Sequence, residues 1–344
     1  MFKYVVKRLL LAVFILFAVS VILYFLVRMM PSNIIINRYL SVHDKTDTGD
    51  WVDFYIGGQV QQLPVELIEI LERYNLADNT FGGIIKGWWG WITSFFAGDF
   101  GTCLTNNEQV GDIIFRNMGV SFAIALVSLF LELIIAIPLG IKCACNQYGK
   151  LDYTVTVFTM IGISFPSFFF ASILIKIFAV DLGWFPIGNL YTPTANYTGF
   201  MKFLDLSWHL VLPIVVLTIL SIGSMMRYTR TNTLEVLNAD YIRTARAKGL
   251  SEGKVVYKHV FRNTLIPLVT TLAGILPSLF GGSMIVEQVF AIQGIGSVAY
   301  NMTLNGDVPF IMAYDMFIAV LTVIGILLTD IMYAIVDPRV KLGK

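Results

Sequence analysis

The chain contains an uninterrupted run of 19 residues, Leu9–Val27, that reads LLLAVFILFAVSVILYFLV and carries no charge. A helix of about 20 apolar residues matches the roughly 30 Å hydrocarbon core of a bilayer. Five further stretches reach that length: Gly119–Ile141, Tyr153–Val180, His209–Met226, Thr264–Val286 and Ala313–Val336. A cleaved signal peptide would have a shorter apolar region, about 7–15 residues, ending at a small-residue site. Here Arg28-Met29-Met30-Pro31 follows instead, so the first stretch reads as a retained span. Hydrophobic residues make up 56% of the 344 and charged residues 14%. That balance excludes a disordered chain and argues against a water-soluble enzyme. A net charge of +1 gives no overall attraction to nucleic acid, so any basic signal is local.

Lys and Arg in the short loops set the expected orientation. Lys3, Lys7 and Arg8 precede the first span, and Lys142 and Lys150 lie between the second and third. The stretch 227–262 carries Arg227, Arg230, Arg243, Arg246, Lys248, Lys254, Lys258 and Arg262, and the tail carries Arg339, Lys341 and Lys344. The opposite loops 181–208 and 287–312 hold Lys202 alone. Six spans with both termini cytoplasmic satisfy every bias. The expected organisation is an all-α integral membrane protein: residues 1–30 as N-terminus and first span, 31–118 as an extracytoplasmic insertion, and 119–344 as the core. In the insertion, Asp44, Asp47, Asp50 and Asp53 mark a polar segment. From Pro64 an amphipathic helix sets Val65, Leu67, Ile68 and Leu71 against Glu66, Glu69 and Glu72. Residues 81–96, with Trp88, Trp89 and Trp91, suit a membrane–water interface. The insertion reads either as a cap on the spans or as a docking surface for an outside partner.

Chemistry is sparse. The sequence has no Walker A, G-x-S-x-G, H-E-x-x-H or C-x-x-C pattern. His43, His209 and His259 are scattered, Cys143 and Cys145 are too close for zinc spacing, and Cys103 reads as a free thiol. No catalytic residue and no metal or other cofactor is expected in this chain. Ionisable groups inside apolar stretches mark polar passages or buried partners. The candidates are Glu132, Lys176, Glu287, Asp315 and Asp330. Glu132, deepest of them, either lines a passage or pairs with another helix. Glu287, nearer a span end, is the second pathway candidate, with an interfacial or structural role as the favoured reading. Pro138, Pro166, Pro213, Pro267 and Pro277 with Gly162, Gly223, Gly274, Gly281 and Gly282 interrupt the spans; such helices suit a bundle that changes shape, and membrane helices also tolerate Pro and Gly in general.

The stretch 227–262 is more organised than an ordinary positive loop. Asn238 or Asp240 can cap a short helix and Gly249 can end it in the left-handed region. Between them, Ala245 and Ala247 are small enough for close packing on a partner, flanked by Arg243, Arg246 and Lys248. A second helix is expected from Ser251, with Val255, Val256, Val260 and Phe261 as its apolar positions.

Asp240-Tyr-Ile-Arg-Thr-Ala-Arg-Ala-Lys-Gly-Leu250, followed by His259-Val-Phe-Arg-Asn-Thr-Leu-Ile-Pro267, resembles the signature of the permease subunits of peptide/nickel-type ABC importers. Tyr4-Val-Val-Lys-Arg-Leu9, Gly98-Asp-Phe-Gly101, Val286-Glu-Gln-Val-Phe290 with Gly294-Ile-Gly296, and Asp330 to Tyr333 with Asp337-Pro-Arg339 are similar to further elements of that family, in order. The long outer segment resembles the first of its two permease types. Arg243-Thr244-Ala245 stands where ABC importers in general have Glu-Ala-Ala, a variant common in the peptide branch. The polar segment 38–60 is longer than usual.

The resemblance implies six transmembrane helices of the type I importer kind, with no ATP site of the chain's own. It implies a second permease subunit, two cytoplasmic ATPases that bind ATP and Mg, and an extracytoplasmic substrate-binding protein or lipoprotein. It places the subunit in a bacterial or archaeal cell membrane, in contact with lipid and a peptide substrate and with no nucleic acid. Within the 240–267 loop, Asp240, Arg243, Thr244, Ala245, Arg246, Ala247, Lys248 and Gly249 would couple ATPase closure to helix movement. Nickel, heme or another small solute in place of peptide is the alternative. An ion-coupled secondary transporter is a further rival, and it leaves 227–262 unexplained.

Overall fold

The computed structural model describes residues 2–30, 32–42, 50–56, 59–78, 80–273, 275–281 and 283–336. Asp44, Asp47, His43, the Asp337-Pro-Arg339 element and the tail cations Arg339, Lys341 and Lys344 lie outside them, as does the side chain of Asp330. The chain divides into two units, residues 1–119 with 298–324 and residues 120–297 with 325–344.

In chain order the helices α1 (Phe2–Met29), α2 (Ser32–Val42), α3 (Val65–Arg73) and α4 (Phe81–Phe96) belong to the first unit, with the strands β1 (Trp51–Ile56) and β2 (Gln59–Pro64) between α2 and α3. The strands pair antiparallel in the register Trp51↔Pro64 to Ile56↔Gln59. That hairpin corrects the all-helical expectation for the insertion. Leu67, Ile70 and Leu71 form the buried face of α3, while Val65 is exposed, so the apolar stripe sits one position round from the expected one. They join Tyr24, Tyr39, Tyr74, Trp91, Phe95, Met312 and Met316 in one core. The Tyr24 hydroxyl donates to the Tyr74 carbonyl at 2.6 Å, and Trp88 Nε1 donates to Ser20 Oγ at 3.1 Å. Thr80 caps α4 by accepting from the Gly83 amide, the usual partner geometry for an N-cap. Asp307, fully buried, accepts from Thr105 N and Oγ1 at 3.0 and 2.8 Å and from Phe310 N. Burial pushes its carboxyl above the ordinary aspartate range.

The remaining helices are α5 (Val110–Cys145), α6 (Lys150–Ser164), α7 (Ser167–Leu174), α8 (Gly199–Leu237), α9 (Asp240–Ala247), α10 (Glu252–Lys254), α11 (Phe261–Ala273), α12 (Leu276–Gly281), α13 (Met284–Val289), α14 (Ile295–Leu304) and α15 (Val308–Val336), with π-helical turns at Ile175–Asp181 and Val255–Val260. Four described helices are long and apolar enough to cross a membrane: the Val6–Met29 part of α1, α5, α8 and the Val308–Leu328 part of α15.

Two of the six expected spans are broken. Tyr153–Val180 appears as α6 and α7 with its following π turn, bent by 104°. The break falls at Phe165-Pro166, where Phe165 is extended with ψ 131°. The proline ring disfavours the helical region for the residue before it, and at Phe165 the chain takes the extended alternative. Thr264–Val286 appears as the C-terminal part of α11, then α12 and α13. Pro267 lies inside α11 and Pro277 opens α12. By contrast α5 and α8 run through Pro138 and Pro213. Within the second unit, Arg230 on α8 grips Asp152 on α6 through two bonds of 2.7 Å.

Candidate functional site

Three features of the second unit hold the chemistry. The first is α9. Its N-cap is Ala239, in the extended region and with no side-chain cap. Asp240 is instead the first helical residue, 3.7 Å from Arg243, so neither expected cap residue caps. Gly249 follows the C-cap Lys248 with φ +76° and donates to the Arg246 carbonyl at 2.9 Å. That is the left-handed end glycine tolerates at no steric cost. Ile242 and Ala245, three residues apart, face the same way and pack with Val255 and Val260. Ala245 is 5% exposed. Its small side chain packs inside this chain. Arg243, Thr244, Arg246, Ala247 and Lys248 remain exposed, and Arg246 forks onto Glu252 at 2.8 and 3.3 Å.

The second feature is a cavity of about 580 Å³. From α5 it receives Ala125, Ser128, Leu129 and Glu132; from α8, Leu217, Ser221, Ser224, Met225 and Tyr228. Ile275, Ser278, Leu279 and Ser283 close it. Helical spacing explains the set. Ser128 and Glu132 are four apart on α5, and Ser221, Ser224 and Tyr228 are three and seven apart on α8, so each group shares one face. Glu132 is 8% exposed, and among the described residues its carboxylate has no hydrogen-bond or ion-pair partner.

The third feature surrounds Glu287, 2% exposed. Its Oε1 accepts from Ser121 Oγ at 2.7 Å and from Ser283 N at 3.1 Å, and its Oε2 accepts from Ser297 N at 2.8 Å. Ser121 Oγ in turn accepts from Ile295 N at 2.8 Å. A Cβ on Gly294 would run into Ser121 Oγ and Glu287 Oε2, so glycine is required there by close approach. The same loop holds the Asn189 amide on the Phe290 carbonyl at 2.9 Å. Glu287 does not line the cavity, and the two pathway candidates are not brought together.

Elsewhere, Lys176 pairs with Asp181, and Asp315 is exposed. Cys103 and Cys143 are buried and Cys145 is exposed, all as free thiols. No group of three His, Cys, Asp or Glu side chains suited to a metal occurs among the described residues. In the Gly98–Gly101 element, Asp99 pairs with Arg73 at 2.8 Å and accepts from Gly101 N at 3.1 Å. Sequence reading missed the cavity serines and the Asp152–Arg230 clamp. The helical spacing of Ser128 with Glu132 was the available signal for the first.

A mainly helical chain with a broken span, an exposed helix after a membrane-length one and a cavity holding a buried carboxylate fits the build of a transport permease. The family model for the binding-protein-dependent transport system inner membrane component matches residues 136–342, and the chain belongs to that family. It is similar to the oligopeptide transport system permease protein AppB of Bacillus subtilis, 36% identical over 342 residues that cover 99% of this chain and all of the relative. The oligopeptide transport system permease protein OppB of Haemophilus influenzae is 30% identical, over 99% of this chain and all of its own. The dipeptide transport system permease protein DppB of Bacillus subtilis is 35% identical over 255 residues, 74% of this chain and 78% of that one. Among solved structures, an inward-facing form of the MetNI methionine ABC transporter superposes with a TM-score of 0.52, covering 65% of this chain and 96% of that chain at 21% identity. The fold is therefore that of an ABC importer permease.

Proposed function

We propose that this subunit forms half of a peptide translocation pathway in an ATP-driven importer. A second homologous permease supplies the other half, two cytoplasmic ATPases hydrolyse ATP with Mg, and an extracytoplasmic binding protein delivers the peptide. Both termini and the segment 227–262 face the cytoplasm, and 31–118 faces outside. The observation that carries this reading is α9: its apolar face is spent on its own unit, and its exposed face offers Arg243, Thr244, Ala247 and Lys248. Such a helix has one side free for a partner that pushes or pulls it. Full-length similarity to oligopeptide permeases supports peptide as the cargo.

Two measurements test it. Uptake of labelled di-, tri- and pentapeptides, nickel and heme in a strain lacking the chromosomal copy should be restored for peptides only. In the purified complex, Arg243→Glu with Lys248→Glu should abolish substrate-stimulated ATP hydrolysis with membrane insertion unchanged. Restoration of nickel or heme uptake alone would overturn the cargo, and normal stimulated hydrolysis would overturn the coupling role.

A further inference from the structure

We infer that the Glu132 cavity is a binding subsite for a primary ammonium group, the amino terminus or a cationic side chain of the transported molecule. The inference rests on the pathway reading above and adds the ligand chemistry that this wall of the pathway takes.

The lining determines the sign. Glu132 is the one ionisable carboxylate or cation among the described lining residues, and no Lys, Arg or His accompanies it. The intervals 119–141 and 264–286 contain no Lys, Arg or His at all, and 210–226 contains none. A buried carboxylate without a partner is costly and is relieved when a cation arrives.

The hydroxyl groups around it point the same way. Each serine has one hydrogen to donate and lone pairs to accept with. Ser128 Oγ donates to the Ile124 carbonyl at 2.8 Å, Ser224 Oγ to the Ser221 carbonyl at 2.9 Å, and Ser278 Oγ to the Ile275 carbonyl at 2.6 Å. With those hydrogens committed to the helices, their oxygens remain as acceptors. The cavity thus offers one carboxylate and several acceptor oxygens. A ligand that matches it brings several donors and a positive charge, which an ammonium does with three N–H groups. An anion meets no cation among the described residues. A nickel ion meets no His or Cys there and a single carboxylate, too poor a set for a transition metal. Leu129, Leu217, Met225 and Leu279 supply apolar walls for whatever carries the ammonium. The volume lies within the roughly 300–1,000 Å³ of small-molecule sites.

The test uses the complete importer in lipid nanodiscs, with Ser221→Cys as reporter and Cys145→Ser to remove the exposed native thiol. Alkylation of position 221 by a small maleimide is timed with butylammonium, with butan-1-ol, or with neither. Butylammonium should slow it about fivefold and butan-1-ol less than about twofold, a difference of at least about 2.5-fold, or roughly 0.6 kcal/mol. Glu132→Gln should remove the ammonium effect, and Glu132→Asp, which keeps the charge, should retain much of it. Co-purification of all subunits shows that each variant assembles. Equal protection by the amine and the alcohol, or ammonium protection that survives Glu132→Gln, would overturn the subsite. A transported peptide with ATP should also change the alkylation rate. If it does not while butylammonium protects, the ammonium site stands and the pathway reading fails.

Discussion

Glu287 hands both carboxylate oxygens to donors from three places in the second unit: Ser121 on α5, Ser283 before α13 and Ser297 on α14. Glu132, only eleven positions along α5 from Ser121, faces an open cavity of about 580 Å³ with no partner among the described residues. The two side chains are of one type and almost equally buried. One is satisfied by the chain itself, and the other is left for something that the chain does not contain. A buried polar group that its own fold satisfies specifies structure. A buried carboxylate left open in a cavity marks where a ligand passes or binds. In a transport permease these become different tasks. The Glu287 knot fixes a loop that also carries the Asn189 amide, and the Glu132 wall is the one we propose meets cargo.

Breaking the knot gives the largest expected effect. Glu287→Ala leaves Ser121 Oγ–H and the Ser283 and Ser297 amides without an acceptor, at about 1–3 kcal/mol each. Yield of folded subunit, measured by detergent extraction and size exclusion, should fall severely. Glu132→Ala removes no internal bond, and its yield should stay within about twofold of the parent, because the side chain borders a cavity instead of filling a packed core. Equal losses of yield for both variants would erase the distinction.

Gly294→Ala comes next. Its methyl collides with Ser121 Oγ and Glu287 Oε2, an overpacking cost of about 1–3 kcal/mol. The melting temperature of the solubilised subunit should drop by less than in Glu287→Ala. An unchanged melting temperature would show that the knot has slack. Gly249→Val lies far along the sequence from both glutamates and separates folding from coupling. Valine at φ +76° costs about 1–3 kcal/mol locally. Insertion and ammonium protection at position 221 should persist while substrate-stimulated ATP hydrolysis is lost. Normal hydrolysis would remove α9 from the coupling path. Ser224→Ala is the mildest change. The residue is exposed and its hydroxyl bonds its own helix, so stability should move by no more than about 0.5 kcal/mol. Chemical denaturation of the solubilised subunit checks that value.

Four of the six expected spans appear as long apolar helices among the described residues, because length and apolar composition are local properties. The sequence also located the α9 segment, since the left-handed turn at Gly249 and the helix before it depend on adjacent residues. The β1–β2 hairpin was legible as well: Gly57-Gly58 between two short runs is a hairpin signal. Glu132 and Glu287 were both visible as acidic residues in apolar stretches, but their roles were not separable. Ser121 and Glu287 are 166 positions apart, and no periodicity within a helix predicts such a pairing. Ala245 shows the same limit at short range. Its smallness was evident, and the side it faces depended on Val255 and Val260 folding back beneath α9.

The direct test of the cavity as a route for cargo is uptake through the importer with its wall deliberately narrowed. In proteoliposomes holding the complete complex, Ser221→Cys in the Cys145→Ser background is alkylated with a bulky maleimide, and labelled peptide uptake is measured before and after. Uptake should fall to less than about a tenth on alkylation, consistent with occlusion of a small-molecule-sized cavity. The same reagent should leave uptake unaffected in the Cys145→Ser parent, whose remaining Cys103 and Cys143 are buried. Undiminished uptake after complete alkylation of position 221 would contradict the assignment.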